Sequence, residues 1–434
     1  MASSVSRRKV LSALAAAVAC GTIRSRSALA QATVDKAGVD DSAGPTFAHD
    51  GPSAMEYGLD EGYPVPGRLQ AILEGNPWAP KYRVGAFSHL DKIYTTRTVH
   101  GAAVGSTFKR SAIEVSYRFR GRSSSLADYV ERNPVTSLLI AKDDRILFER
   151  YQYARTDHDL LLSQSMVKSI TGVLIGIAIA DRAIGSVDDT PDAYVTGFKD
   201  TEYGRTPIRD LLHMSSGVDF GEQRNNGQDL DRLWRDMVLG VGAPRAGTIR
   251  SITQFNRRVA SPGTRFYYAS IEADVLGVVL QYATGKSASA YLEEKVWQPI
   301  EAEADAKWLI DAEGLEVAHF GFNAVVRDYA RLARLLAHDG AWGQCQVIPE
   351  QWMIEATTVR PSDAFLAPGK ATSGLGYGYL LWLLPGSRRQ FALVGQNGQR
   401  ICIDPISKLI MVQTALEDNE EIWRLWSALT EQLG

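Results

Sequence analysis

The sequence predicts an α/β (α+β) fold: one antiparallel sheet built from both chain ends, flanked by helices and carrying an inserted helical lobe. Three observations point to it. Strand-like runs form a hairpin at 134–153, helical patterns dominate from 206 to about 340, and strand-like runs return between 376 and 414. Strands at both ends with helices between them bury their apolar faces by sharing one sheet. The boundaries that follow are a leader at 31–133 wrapping the body, a sheet domain at 134–205 and 341–434, and a mainly helical lobe at 206–340.

Each element has a local reason. Residues 31–80 are rich in Gly, Pro, Asp and Ala with weak periodicity, which suits an extended leader. The hairpin joins apolar 135–141 to 146–151 through the polar turn Lys142-Asp143-Asp144-Arg145. Residues 169–180 are free of charge, the pattern of a helix buried on all sides. Further helices are expected at 207–213, 228–239, 271–284, 288–298 and 325–338. Strands follow at 376–384, 391–394, 400–403 and 409–414, and a helix at 420–432 closes the chain. No internal repeat or low-complexity tract interrupts the pattern.

The first thirty residues read as a removable signal. Ser6-Arg7-Arg8-Lys9-Val10-Leu11 is a twin-arginine pattern, an apolar run covers 11–19, and Ala28-Leu29-Ala30 is an A-x-A cleavage site. The run is too short to span a bilayer, which takes about 20 apolar residues. The expected location is periplasmic or secreted, and the mature chain offers no transmembrane segment. An alternative cleavage before Cys20 would leave a lipid anchor on that cysteine. Cleavage after Ala30 removes Arg7, Arg8, Lys9, Arg24 and Arg26 and no acid, moving the formal net charge from −3 to −8. Nucleic acid is thereby excluded as a partner, since its binders need a basic patch. Only Cys345 and Cys402 survive cleavage. They make no disulfide framework, although one bridge between them is open.

The chemistry concentrates in Ser165-Met166-Val167-Lys168. Residues three apart on a helix are neighbours on one face, so a helix starting at Ser165 sets the Lys168 amine beside the Ser165 hydroxyl. Burial of a lysine lowers its pKa, making it a base able to activate serine. The same spacing occurs at Ser6-Arg7-Arg8-Lys9 and Ser106-Thr107-Phe108-Lys109, but neither leads into an apolar helix. Two other segments are candidates. Tyr268, in the run Phe266-Tyr267-Tyr268-Ala269-Ser270, has a phenol able both to donate and to accept a proton. Gly395-Gln396-Asn397-Gly398-Gln399 lies between two expected strands. A glycine there lets a backbone N–H approach a substrate oxygen, and with the Ser165 N–H it would form an oxyanion hole.

Other chemistries lack their patterns. The sequence holds no G-x-S-x-G, no H-E-x-x-H and no Gly-rich phosphate loop after a strand. Its seven histidines lack metal-ligand spacing and are expected at the surface or as caps.

In this order, Ser165-x-x-Lys168, Tyr268-x-Ser270 and the Gly395–Gly398 segment resemble the serine beta-lactamase and penicillin-binding superfamily, most of all its class C-like branch. Supporting matches are Ile208-Arg-Asp-Leu-Leu-His-Met-Ser-Ser-Gly217, Pro262-Gly-Thr-Arg-Phe266, Ala324-Val-Val-Arg-Asp-Tyr-Ala-Arg-Leu332 and Tyr377-Gly-Tyr-Leu-Leu-Trp382. The likeness covers about 134–430, and Arg83-Val-Gly-Ala-Phe-Ser-His-Leu-Asp-Lys-Ile-Tyr94 looks like the leader of the 6-aminohexanoate-dimer hydrolases.

The resemblance implies a beta-lactamase/transpeptidase-like fold and a serine hydrolase needing no cofactor. It makes Ser165 the nucleophile, Lys168 its base and Tyr268 the proton relay. Ser270, Gln396, Asn397 and Gly398 would bind substrate or its oxyanion. Two departures stand out. Ser270 replaces the Asn common in the second motif, as in the esterase and oligomer-hydrolase groups. Neutral Gln396-Asn397 replaces the Lys or His of the third, so a substrate carboxylate lacks a cation there. The expected substrate is a small ester or linear amide. The alternatives are beta-lactamase or D,D-peptidase activity, or a non-catalytic binding protein on the same fold.

Overall fold

The computed structural model describes residues 44–59, 78–222, 228–239 and 247–434. The signal segment 1–30, Cys20 and much of the expected leader lie outside these residues.

The hairpin forms as expected, with strands Val135–Lys142 and Arg145–Tyr151. Its partner comes from the far end of the chain: Leu409–Ala415 pairs antiparallel with Val135–Lys142. The sheet continues antiparallel through Gln399–Asp404, Phe391–Gly395, Trp382–Leu383 and Gly376–Tyr377. Early segments extend the other edge. Thr46–Phe47 and Lys109–Arg110 both lie parallel to Arg145–Tyr151.

Alternate residues of the central strands enter two different cores, because side chains in a strand point to opposite faces. Leu139, Ala141, Ile401, Ile410 and Val412 face the core shared with helix Met166–Ala180 and helix Val326–Ala337. Leu138, Ile140, Cys402, Leu409 and Met411 face helices Leu126–Arg132 and Glu421–Leu433. Burial on both faces explains why these strands read as continuous apolar runs. Cys402 is a buried free thiol, so the bridge to Cys345 left open by the sequence does not form. Burial pushes the Cys402 thiol up to about 12.

Expected helices appear as Ile208–Leu212, Gln228–Trp234, Ser270–Thr284, Ala288–Leu292 and Val326–Ala337. Those at 228 and 288 continue as π-helical turns over Arg235–Leu239 and Glu293–Trp297. Within this helical region the sequence hid two strands, Ala306–Leu309 and Phe322–Ala324. They form a second sheet with Thr96–Val99 and Leu161–Leu162. The expected strand at 376–384 is two short strands broken by a turn where Leu380 has φ 55°.

Helix Met166–Ala180 is the pivot. Gly176 lies against the Trp352 indole, where a Cβ would come within 2.4 Å of the ring. Ser169 Oγ donates to the Leu380 carbonyl at 2.6 Å. These contacts fix the helix against helix Glu350–Ala356 and the turn at Leu380.

Candidate active site

The second sheet delivers the chain to the helix. Leu161–Leu162 pairs with Phe322–Ala324, and the Ser163 N–H donates to the Phe322 carbonyl at 2.8 Å. Gln164 then takes a left-handed conformation, φ 48°. Such strain in a non-glycine residue persists only where the surroundings impose it. The chain turns there and sets Ser165 at the mouth of the helix, half-buried.

Lys168, one turn on, is 1 % exposed. Its Nζ donates to Ser165 Oγ at 2.7 Å and to the His319 carbonyl at 2.9 Å. The helix carries no other charge. A hydroxyl in hydrogen-bond contact with a buried amine is an arrangement in which the amine can accept the hydroxyl proton once it is neutral.

The Tyr268 ring lies 5.1 Å from Lys168 Nζ. It stacks on Trp382 at 5.6 Å, with Tyr377 edge-on at 6.3 Å. Its hydroxyl has no hydrogen-bond partner among the described residues. A second aromatic group begins at Phe320, beside His319, and joins Trp234 at 5.1 Å and Trp78 at 5.3 Å.

Strand Phe391–Gly395 ends against the approach to Ser165. A Cβ on Gly395 would stand 2.5 Å from the Ser163 carbonyl oxygen and 2.8 Å from Gln164 Cβ, so the close approach requires glycine. Gln396 follows with an exposed side chain. The backbone N–H groups of Ser165 and Gln396 have no partner among the described residues. Asn397, with φ 58°, and Gly398, with φ 81°, close the turn. Their N–H groups donate to the Asp418 carboxylate at 3.2 and 3.0 Å.

The structure thus gathers Ser165, Lys168, Tyr268 and the Gly395–Gln396 strand end. Ser270 is engaged elsewhere: it is 2 % exposed, and its hydroxyl and N–H both donate to the Glu222 carboxylate, the hydroxyl at 2.7 Å. Beneath it Glu272 is buried and takes the Ser216 hydroxyl at 2.6 Å. Burial raises its carboxyl well above the usual range.

Sequence reasoning missed Glu222, Asp418 and the pair Asp274–His319. The expectation of surface or capping histidines fails for His319, which is 5 % exposed, whereas His213, though only 6 % exposed, stands at the C-cap of helix Ile208–Leu212. His213 packs against the Tyr379 ring at 4.9 Å, and burial lowers its pKa to about 4. No group of three or more His, Cys, Asp or Glu side chains suited to a metal ion occurs among the described residues.

The beta-lactamase family profile matches residues 124–416, more than half of the chain. The chain belongs to that family and is a serine hydrolase of its type. Among its relatives, the 6-aminohexanoate-dimer hydrolase of Paenarthrobacter ureafaciens is 24 % identical over 364 residues, covering 80 % of this chain and 90 % of that protein. A Bacillus anthracis structure provisionally named a 6-aminohexanoate-dimer hydrolase superposes with a TM-score of 0.74 at 21 % identity, covering 82 % of this chain and 95 % of the other. A family VIII carboxylesterase superposes with a TM-score of 0.53 at 16 % identity, covering 69 % and 93 %.

Proposed function

We propose that the protein cleaves small esters or linear amides by two acyl transfers. Ser165 Oγ attacks the carbonyl carbon while its proton passes to Lys168 Nζ. The bond to the leaving oxygen or nitrogen breaks as Tyr268 hands that atom a proton. The deprotonated Tyr268 then takes a proton from water as its oxygen attacks the acyl carbon; the acyl–Oγ bond breaks, and Lys168 returns its proton to Ser165. The N–H groups of Ser165 and Gln396 hold the oxyanion, donors set in place before the charge develops. No cofactor enters this reading. The observation that carries it is the 2.7 Å contact between Ser165 Oγ and the Nζ of a lysine that is 1 % exposed.

Two features favour uncharged substrates. The Tyr268 ring lies 5.1 Å from Lys168 Nζ and stacks on Trp382, and the third motif offers no free cation. The names of the amide-cleaving and ester-cleaving relatives support keeping both bond types.

Ser165→Ala tests the reading. We expect loss of turnover by several orders of magnitude with the fold retained, on a panel of p-nitrophenyl esters, aminohexanoate dimer and a chromogenic cephalosporin. Fluorophosphonate labelling of the wild type at Ser165 separates an enzyme from a binding protein. An Ala variant keeping more than about a tenth of the rate would refute the assignment.

We also propose export on the twin-arginine signal, with cleavage after Ala30. Among the described residues no helix is long and apolar enough to cross a membrane. N-terminal sequencing of the secreted form checks the cleavage site, and a lipid-modified Cys20 would overturn it.

A further inference from the structure

We propose that Asp274 and His319 are positioning residues for Lys168, an inference that rests on the Ser165–Lys168 reading. A neutral lysine amine has two N–H groups and one lone pair, and it rotates freely about its last bond. To accept the Ser165 proton, the lone pair must face Ser165 Oγ. An acceptor that holds one N–H elsewhere removes most of that freedom, and the His319 carbonyl does so at 2.9 Å.

A carbonyl in a loop is only as steady as its peptide. Residues 318–321 connect the segment after Glu316 to strand Phe322–Ala324 and lie outside the strands, joined to strand Ala306–Leu309 at Gly321, whose carbonyl accepts from the Leu309 N–H at 2.9 Å. Asp274 supplies the anchor. Its Oδ1 accepts from the Ala318 N–H at 3.0 Å and the His319 N–H at 3.2 Å, while its Oδ2 pairs with His319 Nδ1 at 2.7 Å. With Asp274 as a carboxylate, Nδ1 is the donor. Both side chains are buried, so water does not compete for these bonds. The backbone is also drawn in close: a Cβ on Gly277 would come within 2.7 Å of Ala318 Cβ.

Asp274 lies on helix Ser270–Thr284, which begins two residues after Tyr268. One rigid element therefore sets both the proton relay and, through Asp274 and the His319 carbonyl, the amine. The device fixes the distance between base and relay without touching substrate.

The experiment compares His319→Ala, His319→Asn and Asp274→Asn with wild type in ester hydrolysis, fluorophosphonate labelling and thermal melting. His319→Ala is expected to lower kcat by about tenfold to a hundredfold, the cost of a small misplacement of a reacting group. KM should stay within about threefold, since no substrate contact is removed. Labelling of Ser165 should slow by the same factor as kcat. His319→Asn keeps a donor near the place of Nδ1 and should recover most of the rate. If His319→Ala fails to fold, Asp274→Asn, which keeps its volume and one acceptor oxygen, should show the kcat loss in milder form.

A folded His319→Ala or Asp274→Asn enzyme with unchanged kcat overturns the proposal. So does a loss confined to KM, or a His319→Asn enzyme as slow as His319→Ala. Should Ser165→Ala itself remain active, the underlying reading fails. Should it be inactive while the His319 and Asp274 variants are unimpaired, only the positioning role fails.

Discussion

Arg400 is held by Asp418 at 2.6 Å, beside the turn that closes the third motif. Its other terminal nitrogen donates to the Gly395 and Gln399 carbonyls. The only arginine within that strand is thus committed within the protein, and its charge is balanced by a carboxylate.

This pairing predicts substrate preference. Short-chain esters or linear amides should be cleaved with higher kcat/KM than cephalosporins or penicillins, which carry a carboxylate. Asp418→Asn should narrow the gap, because a released Arg400 can offer a charge-assisted hydrogen bond of about 1.5–3 kcal/mol. Steady-state kinetics on both enzymes reads the ratio. Beta-lactam turnover faster than every ester and amide tested would reverse the choice of substrate class.

Lys168→Arg should be nearly as damaging as Lys168→Ala. The proposed base must shed its proton during the cycle, and a guanidinium does not do so in proteins. A folded Arg variant with a near-normal rate would reduce the lysine to a source of charge.

His213 predicts a stability loss in mild acid. Its folded pKa is lowered by burial to about 4, below its unfolded value of about 6.5. Above pH 6.5 both states hold the ring neutral and it contributes no pH dependence. As pH falls from 6.5 towards 4 the unfolded chain binds the proton first, so folding weakens, by at most about 3 kcal/mol. Asp210, raised by burial to about 6, acts with the opposite sign. The test is therefore a difference: His213→Phe, which keeps the aromatic contact with Tyr379, should unfold with a flatter pH profile than wild type. Identical profiles would contradict the assignment.

Arg331 and Asp328 form a buried pair at 2.8 Å, with side chains 1 % and 0 % exposed. Arg331→Leu leaves the Asp328 carboxylate buried without its counter-charge, which typically costs about 3–5 kcal/mol. Urea unfolding measures it. A loss below about 1 kcal/mol would mean that the Glu303 and Ala304 N–H groups satisfy Asp328 alone.

Much of this was readable in the sequence for geometric reasons. The contact between Ser165 and Lys168 follows from helix periodicity once residues 169–180 are recognised as a buried helix. The central strands announced themselves because burial on both faces leaves no polar residue in runs such as Leu138-Leu139-Ile140-Ala141. The strands at 306–309 and 322–324 were hidden by their shortness, four and three residues, among strongly helical segments. Glu222 lies 48 residues from Ser270, and His319 lies 45 from Asp274. No local period links such positions, and only the tertiary fold brings them together.

The placement of Leu409–Ala415 between Val135–Lys142 and Gln399–Asp404 has a consequence for the order in which the molecule can be made. A growing chain emerges with its hairpin and the Ser165 helix long before the strands that complete the sheet exist. Until residues 391–415 have been synthesised, the hairpin has an open edge and Gly395 is not yet there to pack against Ser163 and Gln164. Pairings over such separations carry a large loop-closure cost and form slowly. Competence for chemistry is therefore acquired late and in one step, and a nascent chain stalled before residue 391 should be both inactive and prone to edge-to-edge association.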